Sequence, residues 1–308
     1  MLTQNIKLKN FKKEKQNKKI FNLLKNLLKE KNEIINSFSK FYRDSYTKSQ
    51  ISKLKKFANI LIIGMGGSIL GAKAINSFLK DKIKKNLFFK DNLVLEKKNF
   101  FFNKNPLNLI ISKSGNTLET IVNLNTLIKK NQKNIFVTEN KKNYLTNLAK
   151  KLKAEIINHN NYIGGRYSVL SEVGMLPAEL MGLNPKKFRQ FNELIKNKNF
   201  LNSLILNVSN IVNLTKSKKF NSVILNYDEK SKDLFYWYQQ LVAESLGKKG
   251  KGILPIISNM PKDNHSVMQY YLDGNKNNFY TFFFVNEKKT KKLNKDMILK
   301  THNYLKTK

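Results

Sequence analysis

No cysteine occurs in the 308 residues. A disulfide framework, a thiolate metal site and a cysteine nucleophile are therefore excluded, and the composition fits a reducing compartment. Arginine is nearly absent: Arg43, Arg166 and Arg189 are the only three among 58 basic residues. Acidic residues are few as well, 21 in all, which leaves a formal net charge of +37. Such a charge attracts polyanions at low salt. Sequence-selective nucleic-acid readers, however, exploit the planar guanidinium that is scarce here. The lysines are spread along the whole chain among Asn, Ile and Phe, so the charge reads as a solvated surface and no specific nucleic-acid partner is expected. Long apolar runs are missing too. The longest, from Ile60 to Ala72, is broken by Gly64, Gly66, Gly67 and Ser68 and is too short to cross a membrane. The basic stretch Met1 to Lys19 lacks the apolar core of a signal peptide. A cytoplasmic protein without a membrane partner is expected.

What is present is enough apolar material, 41% of the residues, for one large domain or two medium ones. Between Lys19 and Ser45, Ile20, Leu23, Leu24, Leu27, Leu28, Ile34, Ile35 and Phe38 recur at helical spacing, which predicts one or two amphipathic helices. From Asn59 the pattern changes. Short apolar runs (59–63, 107–112, 134–138, 155–158) alternate with helical stretches, the pattern of a parallel sheet covered by helices on both faces. A helical stretch containing Pro177 and Pro185 leads to a second unit from about Phe191, with apolar runs at 222–226, 252–257 and 279–285. The basic stretch 288–308 is predicted to be helical. The expected division is an N-terminal helical segment at 1–50, a first domain at 51–190 and a second at 191–308.

Five motifs carry chemistry. In Gly64-Met65-Gly66-Gly67-Ser68-Ile69-Leu70-Gly71, glycines allow a sharp strand-to-helix turn and close backbone approach, and a helix N-terminus there suits a phosphate. It is neither a dinucleotide fingerprint, because Ile69 stands where the third Gly would be, nor a Walker A loop. A tight turn without a ligand is the plain alternative. Ser112-Lys113-Ser114-Gly115-Asn116-Thr117 gathers three hydroxyls and an ammonium at another strand-to-helix turn, where N-capping would need only one hydroxyl. Gly164-Gly165-Arg166-Tyr167-Ser168 places a rare Arg after two glycines, in a chain where Lys serves most basic positions. In Gln239-Gln240-Leu241-Val242-Ala243-Glu244-Ser245-Leu246-Gly247-Lys248, Glu244 lies near the end of a mainly apolar helix. A carboxylate partly shielded from water there can act as a base, an exposed helix-end Glu being the alternative. Asp263-Asn264-His265-Ser266 holds one of three histidines.

Taken in order, these motifs resemble the phosphoglucose isomerase family. Gly66 to Ser68 is similar to its Gly-Gly-Ser loop, and Ser112 to Thr120 to its Ser-Lys-(Ser/Thr)…Thr-x-Glu-Thr loop. Gly164 to Leu170 matches its Gly-Gly-Arg-(Tyr/Phe)-Ser signature. Glu244-Ser245-x-Gly247-Lys248 matches a second signature, and His265-Ser266 its His-Ser segment. The resemblance implies two sugar-isomerase (SIS) α/β/α domains with parallel sheets, plus N-terminal helices. It implies interconversion of glucose 6-phosphate and fructose 6-phosphate through a cis-enediol, in glycolysis and gluconeogenesis, with no metal and no organic cofactor. Gly67, Ser68, Ser112, Lys113, Ser114, Thr117 and Gln240 would hold the sugar phosphate. Glu244 would be the base, and Arg166 would stabilise the enediolate charge. His265 would open the sugar ring in a neighbouring subunit, which implies a homodimer. The family also carries a catalytic Lys in a C-terminal helical segment, and no stretch after Gly274 matches it. The chain thus reads as a natural short form, an incomplete gene product or a truncated chain, and a non-catalytic sugar-phosphate-binding protein is the alternative function.

Overall fold

Five short segments in the first half extend into one parallel sheet: β1 (Asn59–Ile63), β2 (Asn86–Lys90), β3 (Leu107–Ile111), β4 (Lys133–Thr138) and β5 (Glu155–Asn158). Their order across the sheet is β2-β1-β3-β4-β5. The structure is a computed structural model describing residues 17–93 and 105–286. The strands β1 and β3 are apolar on both faces because both faces are covered. Ile60, Ile62, Leu109, Ile111, Ile135 and Val137 pack against Val173, Leu176 and Leu180. The alternate residues Leu61, Ile63, Ile110 and Phe136 pack on the other side against Leu124, Leu145 and Ala149. The period-2 geometry of a strand thus divides one run of Ile and Leu between two cores. Each fully buried Ile or Leu contributes about 1.5–3 kcal/mol by leaving water.

A second parallel sheet follows: β6 (Asn221–Asn226), β7 (Leu254–Asn259) and β8 (Asn278–Phe283), in the order β7-β6-β8. The helix Lys232–Leu246 packs on β7 and also against the helix Leu70–Phe78 of the first unit. Through that pair of helices the second unit reaches the carboxyl end of β1. The architecture is the expected SIS-type α/β arrangement of parallel sheets with helices at the N-terminal side, where Lys18–Leu27 and Glu33–Asn36 are helical.

Strand β2 and two helices, Lys48–Leu54 and Lys198–Lys216, had no counterpart in the sequence reading. Strand β2 is at most half-buried along its length and sits at the sheet edge, and its apolar run is only Leu87 to Phe89. The helix Lys198–Lys216 buries only Ile205 and Ser209, so its apolar stripe is weak. The helix expected from Thr117 to Lys130 spans Leu118–Leu127. The one expected from His265 is a short turn, Lys262–His265, followed by Met268–Asp273. The basic stretch 288–308 lies outside the described residues. Among the described residues no helix is long and apolar enough to cross a membrane.

One buried polar group ties the N-terminal segment to the first sheet. His159, just beyond β5, donates from Nδ1 to the Asn160 carbonyl at 2.9 Å, and its Nε2 is buried without a partner. The Glu172 carboxylate accepts from the Asn160 N–H at 2.6 Å and the Tyr42 hydroxyl at 3.4 Å. The His159 ring and that carboxylate lie 3.8 Å apart without forming a charged pair, because burial pushes the ring pKa down and the carboxyl pKa up. A depressed His pKa favours the neutral ring in the folded state. Its stabilisation is fully present above the unfolded value near 6.5 and is lost as pH falls through the lower folded value. Glu172 acts with the opposite sign, since a raised carboxyl pKa favours the folded protein at low pH. Comparison with His159→Gln isolates the ring. Between pH 7 and 5 the parent is expected to lose more stability than the variant, by up to about 1.4 kcal/mol per pH unit, as read from urea unfolding at each pH.

Candidate active site

The sheet order reverses direction between β1 and β3, and open α/β sheets bind ligands in the crevice at the carboxyl ends of strands flanking such a switch. Both glycine- and serine-bearing loops lie there. Gly64 to Ser68 leaves β1, and Ser112 to Thr117 leaves β3. The two strands are paired directly, and a Cβ on Gly64 would come within 2.9 Å of the Ile111 carbonyl oxygen. No side chain caps the helix Leu118–Leu127. The Thr117 hydroxyl instead meets Ser112 Oγ at 2.9 Å. Ser112 Oγ also accepts from the Gly115 N–H at 3.2 Å, and Ser114 Oγ accepts from the Asn116 N–H at 3.3 Å. The hydroxyls therefore shape the loop and leave the first helical N–H groups available to an anion. The Lys113 ammonium does not join this group. It donates to the Asn161 carbonyl at 2.8 Å and lies 3.3 Å from Glu139.

A second loop supports the first. Asn143 caps the helix Tyr144–Lys151 in a reciprocal pair with Thr146, and its amide donates to Thr138 Oγ1 at 3.2 Å. Gly115, at φ +66°, sits against this fixed amide: a Cβ there would fall 2.1 Å from Asn143 Oδ1. Gly115→Ala combines left-handed backbone with a clash against a side chain that cannot swing away. The expected cost is about 1–3 kcal/mol, with affinity for inorganic phosphate at this loop reduced about tenfold. Thermal unfolding and calorimetric titration of the variant check both.

The glycine loop is also closely packed. A Cβ on Gly67 would fall 2.2 Å from the Gly165 carbonyl group, and one on Gly66 2.7 Å from Gln240 Nε2. The loop after β1, the turn Gly165–Leu170 and the helix Lys232–Leu246 therefore converge. At that junction Arg166 Nη1 donates to Glu244 Oε1 at 3.0 Å, and Gln240 Nε2 donates to Glu244 Oε2 at 3.2 Å. The side chain of Glu244 is 52% exposed and that of Arg166 19% exposed, so the carboxylate faces solvent more than its apolar helix suggested. Gln240 Oε1 is buried without a partner. Two residues not singled out from the sequence join the group. Ser245 Oγ accepts from Arg166 Nε at 2.9 Å and meets the Tyr167 hydroxyl at 2.8 Å. Ser245 and Tyr167 stand beside Glu244 and Arg166 in the same two motifs, and that adjacency was the available signal. The His265 side chain is exposed and, among the described residues, its ring makes no hydrogen bond or ion pair. Among those residues no group of three or more His, Asp or Glu is placed to hold a metal.

The family model for phosphoglucose isomerase matches residues 8–299. The chain belongs to the phosphoglucose isomerase family. It is 38% identical over 261 residues to the glucose-6-phosphate isomerase of Methanocaldococcus jannaschii, covering 78% of this chain and 64% of that protein. It is 33% identical over 290 residues to that of Acholeplasma laidlawii, covering 81% and 66%. The chain thus spans a little under two thirds of the length of these curated relatives. Among solved structures, a hypothetical protein of Thermus thermophilus superposes with a TM-score of 0.74 at 21% identity, covering 94% of this chain and 75% of that one. A glucose-6-phosphate isomerase of Chlamydia trachomatis superposes with a TM-score of 0.55 at 21% identity, covering 76% and 51%. At that identity the likeness is one of fold.

Proposed function

We infer that the chain carries the catalytic centre for interconverting glucose 6-phosphate and fructose 6-phosphate. The observation that carries this reading is the meeting of Glu244 and Arg166, brought from different sheets to the loop after β1. In the open-chain sugar, Glu244 takes the proton from C2 and returns it to C1, passing through a cis-enediol. The electron pair released from the C2–H bond forms the C1–C2 double bond while the carbonyl π pair moves onto O1, where the fixed positive charge of Arg166 stabilises it; O1 takes up a proton and O2 gives one up as the carbonyl re-forms at C2. The same Arg orients the base before the substrate arrives. Gln240 joins the base to the glycine loop.

The phosphate is assigned to the crevice between the loops. The N–H groups beside Gly67 and at the start of Leu118–Leu127 would donate to it, with the hydroxyls of Ser68, Ser112, Ser114 and Thr117 completing the shell. Gln240 faces the same space, and Lys113 contributes positive charge from the loop margin. Sugar phosphates are the substrate class of this reading, with no metal or organic cofactor. The exposed, unbonded His265 is assigned to the ring-opening step of a neighbouring copy, which makes a homodimer part of the proposal. The division at 51–190 and 191–308 is proposed on the same basis, with β1–β5 falling before it and β6–β8 after it. Cytoplasmic glycolysis and gluconeogenesis are the setting such a reaction would serve.

A coupled assay following glucose 6-phosphate formation from fructose 6-phosphate tests the reading. Steady turnover by the 308-residue chain is expected. Because the chain spans less than two thirds of its relatives, saturable sugar-phosphate binding without turnover would favour the second reading, a non-catalytic binding protein.

A further inference from the structure

We propose that Ser245 is a positioning residue that fixes the guanidinium of Arg166 against Glu244. The consequence for turnover rests on the isomerase reading, whereas the placement itself does not. Arg166 is held on three sides. Its Nη1 donates to Glu244 and its Nε to Ser245 Oγ at 2.9 Å. Its flat face lies 4.5 Å from the centre of the Tyr167 ring. Two in-plane contacts and one facial contact define the plane and rotation of a guanidinium. Glu244 cannot do this alone, because a half-exposed ion pair in water holds its partners weakly.

Ser245 is suited to the task by position. It follows Glu244 directly in the helix Lys232–Leu246, so one rigid backbone step sets the spacing between the acceptor for Nη1 and the acceptor for Nε. Its own hydroxyl is fixed in turn by the Tyr167 hydroxyl at 2.8 Å. The rotor of Ser245 is thereby locked from the same turn that carries Arg166. The bond also crosses between the two units, since Arg166 follows the first sheet and Ser245 precedes β7. Docking of the second unit and aiming of the guanidinium are consequently one event. A hydroxyl is required and bulk is not, because both contacts are made by Oγ.

The chain has only three arginines, so the Nε–H region of a nitrogen–proton correlation spectrum is simple, and Arg166→Lys assigns the Arg166 signal. In the parent, that signal is expected to exchange slowly with water. Ser245→Ala is expected to accelerate its exchange about tenfold, the loss of one hydrogen bond worth about 1.4 kcal/mol. Ser245→Thr, which keeps the hydroxyl, is expected to retain the slow exchange. In the coupled assay, Ser245→Ala is expected to lower kcat about 10- to 100-fold with KM within about twofold, the effect of a misaimed catalytic group, and Ser245→Thr to recover most of it. Unchanged Nε–H exchange in Ser245→Ala would overturn the proposal. So would equal impairment of the Thr and Ala variants. Absence of turnover in the parent would remove the isomerase reading, and the exchange rates would still decide the placement of Arg166.

Discussion

Replacing Glu244 with Gln is expected to reduce turnover by about 10³-fold or more while sugar-phosphate affinity stays within about threefold, because a positioned base contributes about 10²–10⁴. The substitution keeps the shape of the side chain and its hydrogen bond to Gln240 while removing the lone pair that accepts the proton. It also removes the partner of Arg166 Nη1, now 3.0 Å away. An Arg released from its carboxylate remains beside the loop as a full positive charge, so an anionic ligand loses no attraction. The variant therefore separates binding from chemistry. The coupled assay gives kcat, and calorimetric titration with fructose 6-phosphate gives affinity. Retained turnover would move the base elsewhere in the site.

The second large effect lies away from the crevice. Arg189 is 2% exposed in its side chain and forms a bidentate pair with Asp44. It also donates from Nε to the Leu170 carbonyl at 2.8 Å and stacks 4.8 Å over the Tyr42 ring. The pair thus ties the N-terminal segment to the end of the turn that carries Arg166. Asp44→Ala leaves a buried guanidinium without its counter-charge, and such a loss costs about 3–5 kcal/mol. The expected result is a fall of about 10 °C in the unfolding midpoint of the first unit, from the scaling for a domain of this size. The double variant Asp44→Ala/Arg189→Met removes the stranded charge as well and is expected to recover part of the loss. Equal destabilisation of the single and double variants would mean that packing, rather than charge, dominates there.

Two of the three arginines thus sit where a fork is needed, one in the crevice and one in the buried clamp. Their scarcity made them visible in the sequence, but it could not divide them by role. The Gly-Gly-Arg motif pointed to Arg166, while Arg189 lay in an undistinguished basic stretch whose partner is 145 residues away. Strand–helix alternation exposed the first sheet because its central strands are buried on both faces and read as apolar runs. It missed β2, an edge strand whose apolar run is only Leu87 to Phe89. Glu244 was singled out by its motif, yet the apolar helix around it suggested more shielding than it has. That helix spends its apolar residues on β7 and on Leu70–Phe78 and leaves the carboxylate toward solvent. Lys113 shows a further limit. Its place in the loop was legible, whereas the direction of its ammonium depends on the Asn161 carbonyl and Glu139, which no local pattern predicts. Ser245 was passed over for a similar reason: a hydroxyl beside a charged residue acquires meaning only when the opposite loop brings Arg166 and Tyr167 to it.

The proton transfer proposed for Glu244 can be followed atom by atom. The decisive experiment incubates the 308-residue chain with fructose 6-phosphate in deuterium oxide and reads the recovered sugars by proton and deuterium resonance. A base that lifts a proton through a cis-enediol exchanges it with solvent during some turnovers, so deuterium is expected at C2 of glucose 6-phosphate and at C1 of fructose 6-phosphate. The same incubation with Glu244→Gln is expected to leave both positions unlabelled. Glucose 6-phosphate formed by the parent with no solvent deuterium at either carbon would contradict proton transfer by Glu244.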